Sequence, residues 1–232
     1  MQPKFLLMIY SYYFSLAALT FCITMCVIHF IRLVKLGAPK DLSEPSGSVT
    51  AGVIYSNTGA MLPKQKESAY KHLPTYTAGI IFHIGTFVAF FCFILSYFEV
   101  VLEFLFQNIW VTALVALCTG LGACCGIGLI IKRITSKKLR PISNMDDYIS
   151  VSLTTLFQLT IALLFTAFVF RDFFSSVPIE VMHTACFVSS ALLFIYLPFG
   201  KLKHVVYYFS ARYHLGFFYG RRGAWPPPHE VL

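Results

Sequence analysis

Charge is what this sequence has least of. Only 12% of its 232 residues are Asp, Glu, Lys or Arg, about half the share of an ordinary soluble domain. The scarcity excludes a disordered chain, a nucleic-acid binder with a charged face, and almost any water-soluble globular enzyme. Also missing is any charged residue from five long apolar stretches, roughly 8–31, 76–98, 108–131, 149–170 and 181–200. Without intramembrane carboxylates, and without an internal repeat, the design of an ion- or proton-coupled transporter has little support. No C-x-x-C pair occurs, although there are seven cysteines, so an iron–sulfur cluster or zinc site within this chain has no ligand set.

What is present is apolar. Hydrophobic residues make up 57% of the chain and aromatics 17%, and the mean hydropathy is +0.72. Each charge-free stretch is long enough for a transmembrane helix, which needs about 20 residues. The sequence thus predicts an all-α integral membrane protein: a five-helix transmembrane domain over 1–200, and a cytoplasmic tail over 201–232 that begins helically and turns Pro-rich. The first stretch follows Lys4 but runs on to Ile31 with no clear small-residue cleavage site, so it reads as a retained anchor. All seven cysteines lie in the spans and read as small packing residues. Gly122 and Gly126 form a G-x-x-x-G step suited to close helix contact.

The net charge of +8 is distributed by side. Sixteen of the 18 Lys and Arg residues fall in the connection between spans one and two, the connection between spans three and four, and the tail. Lys4 and Arg171 stand opposite, with Glu99, Glu103, Asp172 and Glu180. The positive-inside rule puts the N-terminus outside and the C-terminus in the cytoplasm of a cell's inner (plasma) membrane. The basic surface reads as a topology signal and as a docking face for a cytoplasmic partner, and not as a nucleic-acid site.

Against uncharged spans the histidines stand out. A polar ring in hydrocarbon is costly without a partner, and neutral imidazole is the usual axial ligand of haem iron. Histidines on facing helices can hold a b-type haem inside a bundle. His83 lies about 10 Å inside its span at 1.5 Å per residue. His204 approaches the same boundary if the fifth helix continues past Pro198 and Gly200. Each follows a glycine one turn earlier, Gly79 and Gly200, where a missing side chain leaves room for a flat macrocycle. His83 and His204 are therefore the expected axial pair. His183 lies 21 residues before His204, about 31 Å along a continuous helix, and would serve a second, outer haem or a quinone pocket. His29 is a further ligand or pocket candidate. His72, His214 and His229 read as solvated.

Phe82-His83-Ile84-Gly85 opens the second helix, and Leu197-Pro198-Phe199-Gly200-Lys201-Leu202-Lys203-His204 closes the fifth. Together with the five-helix plan, these segments resemble the ligand-bearing helices of the respiratory nitrate reductase gamma-subunit family. That family includes similar membrane cytochromes of heterodisulfide-reductase-type and sulfite-reduction-associated complexes. The resemblance implies a cytochrome b subunit exchanging electrons between membrane quinone and a cytoplasmic iron–sulfur or catalytic subunit. It implies two haems on four histidines, of which His83, His204 and His183 match three positions. The fourth position holds Phe93, which leaves one haem or two open. An outer quinone pocket would place Glu99, Glu103 or Asp172 at the proton exit; an inner one would have His29 as its neighbour. The rival reading is a cofactor-free anchor for a soluble complex.

Overall fold

The computed structural model describes residues 3–37, 42–65, 71–97 and 106–227. Among them the secondary structure is helical without strands. The helices are α1 (Pro3–Lys35), α2 (Val49–Asn57), α3 (Leu73–Leu95), α4 (Ile109–Thr135), α5 (Met145–Val169), α6 (Ile179–Tyr196) and α7 (His204–Arg221). Five of them, α1, α3, α4, α5 and α6, are long and apolar enough to cross a membrane. The chain is a multi-pass membrane protein with an all-α fold.

Local chemistry sets the helix ends. α1 starts on Pro3, whose missing N–H costs nothing at a first helical position. It stops before Gly37, which takes the left-handed conformation with φ +69 that a side chain disfavours. Asn108 caps α4 by accepting from the Trp110 and Val111 N–H groups. At α5, Asn144 and Asp147 form a reciprocal capping box, which satisfies two N–H groups otherwise left bare. Lys132 and Arg133 sit in the last turn of α4 and Asp146 and Asp147 in the first turn of α5, the signs that the helix dipole favours.

The fifth span ends earlier than its apolar run. α6 stops at Tyr196, turns occupy 197–200, and a 3-10 turn covers Lys201–Lys203 before α7 begins at His204. Pro198 explains the break: it has no N–H to donate to the preceding turn, and its ring crowds the carbonyl four residues earlier. The continuous helix expected between His183 and His204 is therefore two helices.

The chain divides into two compact units. The first comprises Met1–Ile23 and Pro74–Lys201. Its interior is aromatic: Phe93, Phe157 and Phe194 are almost fully buried. The Phe93 ring lies 5.6 Å from both Phe157 and Phe194, and Phe90 lies 5.2 Å from Phe157. Leu114, Leu117 and Leu121 point outward from α4, an exposure that suits lipid. Because lipid tails are as apolar as leucine, helix association here relies on close packing and not on escape from water. The Gly122 expectation is met in these terms. A side chain at Gly85 would fall 2.9 Å from the Cα of Gly122, so α3 and α4 approach almost backbone to backbone.

The second unit comprises Thr24–Leu73 and Leu202–Leu232, and its main contact is α2 against α7. A side chain at Gly216 would fall 2.5 Å from the Cα of Val53, and one at Gly220 2.7 Å from the Ser48 carbonyl oxygen. Ser56 donates to the Arg212 carbonyl oxygen at 2.7 Å. The connection between the first two spans thus contributes a helix, and the tail helix pairs with it.

Candidate functional site

His83 occupies α3, whose periodicity decides its direction. Phe82, Gly85, Ala89, Cys92 and Phe93 form the buried face. His83 lies off that face and is exposed, beside outward-facing Ile84 and Phe87. Its Nδ1 lies 2.7 Å from the Gly79 carbonyl oxygen. A carbonyl only accepts, so Nδ1 is the donor, and in the neutral ring Nε2 then holds the lone pair. Metal-bound histidines commonly use this arrangement, since the second hydrogen bond fixes the ring and strengthens the donor nitrogen. A side chain built at Gly79 would meet nothing within 4 Å, so the helix face beside the ring is open. The ring is thus held by the helix backbone at one nitrogen, on a helix face that is open beside it.

The other candidates stand differently. His204 is the first residue of α7, exposed, and belongs to the second unit, whereas His83 belongs to the first. Gly200 leaves no such space as Gly79 does. The Tyr196 ring lies over it, 2.5 Å from where a Cβ would sit. His183 is half-buried on α6 and stacks on Phe187 at 6.3 Å. It borders a gap of about 20 Å³ lined by Cys92, Phe93, Ser96, Cys186 and Phe187 among others. That space takes one water and does not fit a macrocycle. His29 is half-buried on α1, its Nδ1 3.1 Å from the Tyr207 hydroxyl. Asp172 is exposed in the turn between α5 and α6. Glu99 and Glu103 lie outside the described residues.

Two clusters went unread in the sequence. At the start of α5, Lys201 Nζ donates to Asp147 Oδ1 at 2.6 Å and Arg133 Nη1 lies 3.2 Å from the same oxygen. Asp146 accepts from the Tyr196 hydroxyl and, at 3.2 Å, from the Lys201 N–H. The Lys201 ammonium bonded to it, then the Asn144 N–H, hold the Asp147 carboxyl below its ordinary range. The signal was available: N-x-x-D ahead of an apolar run is a capping box. The second is Gln158, fully buried on α5, whose Nε2 donates to the Phe82 carbonyl oxygen at 3.2 Å and to Thr86 Oγ1 at 2.7 Å. It is the sole glutamine in the five charge-free stretches, which was its signal.

Among the described residues, no group of three or more His, Cys, Asp or Glu is placed to hold a metal ion. No family model, curated protein or solved structure matches the chain.

Proposed function

We propose that this chain is a membrane cytochrome b subunit of a respiratory oxidoreductase complex in a cell's inner membrane. In this reading it passes electrons between membrane quinone and a cytoplasmic iron–sulfur or catalytic subunit. The observation that carries it is the state of His83: an exposed imidazole in an uncharged membrane helix, proton on Nδ1, Nε2 bare, beside an open glycine. An uncharged span has no electrostatic use for a histidine, and leaving its lone pair unpaired in hydrocarbon costs free energy unless something binds there.

A bound b-type haem supplies one-electron chemistry at a potential set by its ligands and surroundings. The chain's own part is to hold and orient. His83 Nε2 would hold the iron, and the Gly79 carbonyl would keep the ring from turning. Gly79 would leave the helix surface flat for the macrocycle. The basic side chains on the loops and the tail give an acidic partner surface a place to dock and speed its encounter.

Reduction of the purified protein with dithionite tests this. The expected spectrum carries the α-band of a b-type haem, at one haem per chain, and H83A loses it. A reduced spectrum with no haem band, from protein made with ample haem supply, overturns the reading in favour of a cofactor-free anchor.

A further inference from the structure

His83 works as a ligand only if α3 is rotated so that its ring leaves the bundle interior, and the means of fixing that rotation are visible. α3 meets α4 where Gly85 lies on Gly122 and where the Phe82 ring covers Gly126. Apolar packing of this kind sets the distance between two helices and favours a rotation, but it carries none of the directionality of a hydrogen bond. Successive residues are about 100° apart around a helix, so a turn of a few tens of degrees would carry position 83 into the helix interface or further into lipid.

Gln158 adds directional bonds to that packing. Its Nε2 bonds two groups on α3, the Phe82 carbonyl oxygen and Thr86 Oγ1, and Thr86 donates in turn to the same carbonyl at 2.7 Å. Residues 82 and 86 bracket His83 one turn apart, so the amide grips the stripe beside the histidine. Its Oε1 has no hydrogen-bond partner, though it is buried. It is wedged at the crossing, 2.7 Å from where a Gly85 side chain would sit. A buried acceptor left unpaired is a cost, which a leucine would avoid if Gln158 only filled space.

We propose that Gln158 is the positioning residue of His83: its amide fixes the rotation of α3 and so the direction of Nε2. The inference rests on the reading of His83 as a haem ligand, but the rotation is measurable without haem. Two arms separate the two ideas.

In the first arm, Trp replaces His83, and its fluorescence, taken as the difference from the otherwise identical chain, is followed in brominated phosphatidylcholine vesicles. Strong quenching is expected. In Q158L and T86V the quenching falls to about half or less, as lost buried hydrogen bonds let α3 sample other rotations. T86S keeps the hydroxyl and matches the parent. Quenching that is the same in all four chains overturns the proposal. T86V carries this test if Q158L does not fold.

In the second arm, the haem-loaded protein is compared at position 83 intact. T86V and Q158L retain haem but shift its low-spin electron paramagnetic resonance signal and its midpoint potential, and T86S moves neither. A signal and potential identical to the parent in both T86V and Q158L overturn the proposal. Parent protein without haem would sink the functional reading alone, and the quenching arm would still decide on Gln158.

Discussion

A carboxylate at the end of a membrane helix persists as an anion only if its neighbours stabilise it. Asp147 has three such neighbours. Lys201 supplies a charge-assisted hydrogen bond to Oδ1, Arg133 pairs with the same oxygen at 3.2 Å, and the Asn144 N–H donates to Oδ2 at 3.0 Å. Its carboxyl is held below the ordinary value by these contacts, Lys201 foremost. The folded state binds the proton less readily than the unfolded chain, so the contribution is complete above the unfolded value of about 4. It is lost as pH falls through the lowered folded value. Half of the Lys201 side chain is exposed, and water discounts the pair to about 1 kcal/mol. D147N is expected to melt lower than the parent in detergent at pH 7, and the difference is expected to close in acid as the carboxylate takes up its proton. Melting curves followed from pH 7 into acid check it, and a gap that persists once the carboxyl is protonated would show that packing, not charge, was lost.

The helices divide into those that a sequence can announce and those that only a partner creates. The membrane helices were legible because 18 or more charge-free residues have few alternatives in lipid. Their ends shifted by a few residues where caps or a proline intervened, Asn144 at α5 and Pro198 after α6. α2 gave no such signal. Its nine residues include a glycine and several β-branched side chains, which are weak helix formers alone. It exists because Gly52, Gly216 and Gly220 let it lie against α7, a dependence invisible in either segment by itself. G52V is accordingly expected to separate the pair. Its Cβ would fall 2.9 Å from the Gly220 N and into backbone that cannot yield as a side chain can. The cost is about 2–3 kcal/mol, read as faster limited proteolysis between Asn57 and Leu73 or after Lys201.

At the scale of the whole molecule the site was half legible. The absence of charge exposed His83 as anomalous. Its orientation depends on Gln158, more than 70 positions away in sequence, and no local pattern links residues 83 and 158. The glycine expected to make room at the fifth helix failed for the same reason, since a tyrosine four residues earlier turns back over Gly200. Charge sidedness, by contrast, needs no tertiary knowledge. It sums over loops, and only Lys4 and Arg171 among 18 basic residues lie on the sparse side. A membrane potential and anionic lipid act on that sum during insertion, each short basic loop resisting translocation. Five spans then require opposite termini. A green fluorescent protein fused after Leu232 is expected to fluoresce, because it folds in the cytoplasm, and alkaline phosphatase at the same position to stay inactive. Neutralising Lys132, Arg133, Lys137, Lys138 and Arg140 together removes the retaining charge from one loop while two remain. The expected result is a mixed population, with phosphatase activity rising from near zero but staying below that of an exported control. An active phosphatase on the parent chain would invert the orientation. The basic face would then lie outside the cytoplasm, away from any cytoplasmic partner, and the docking half of the proposed function would fall while the His83 site stood.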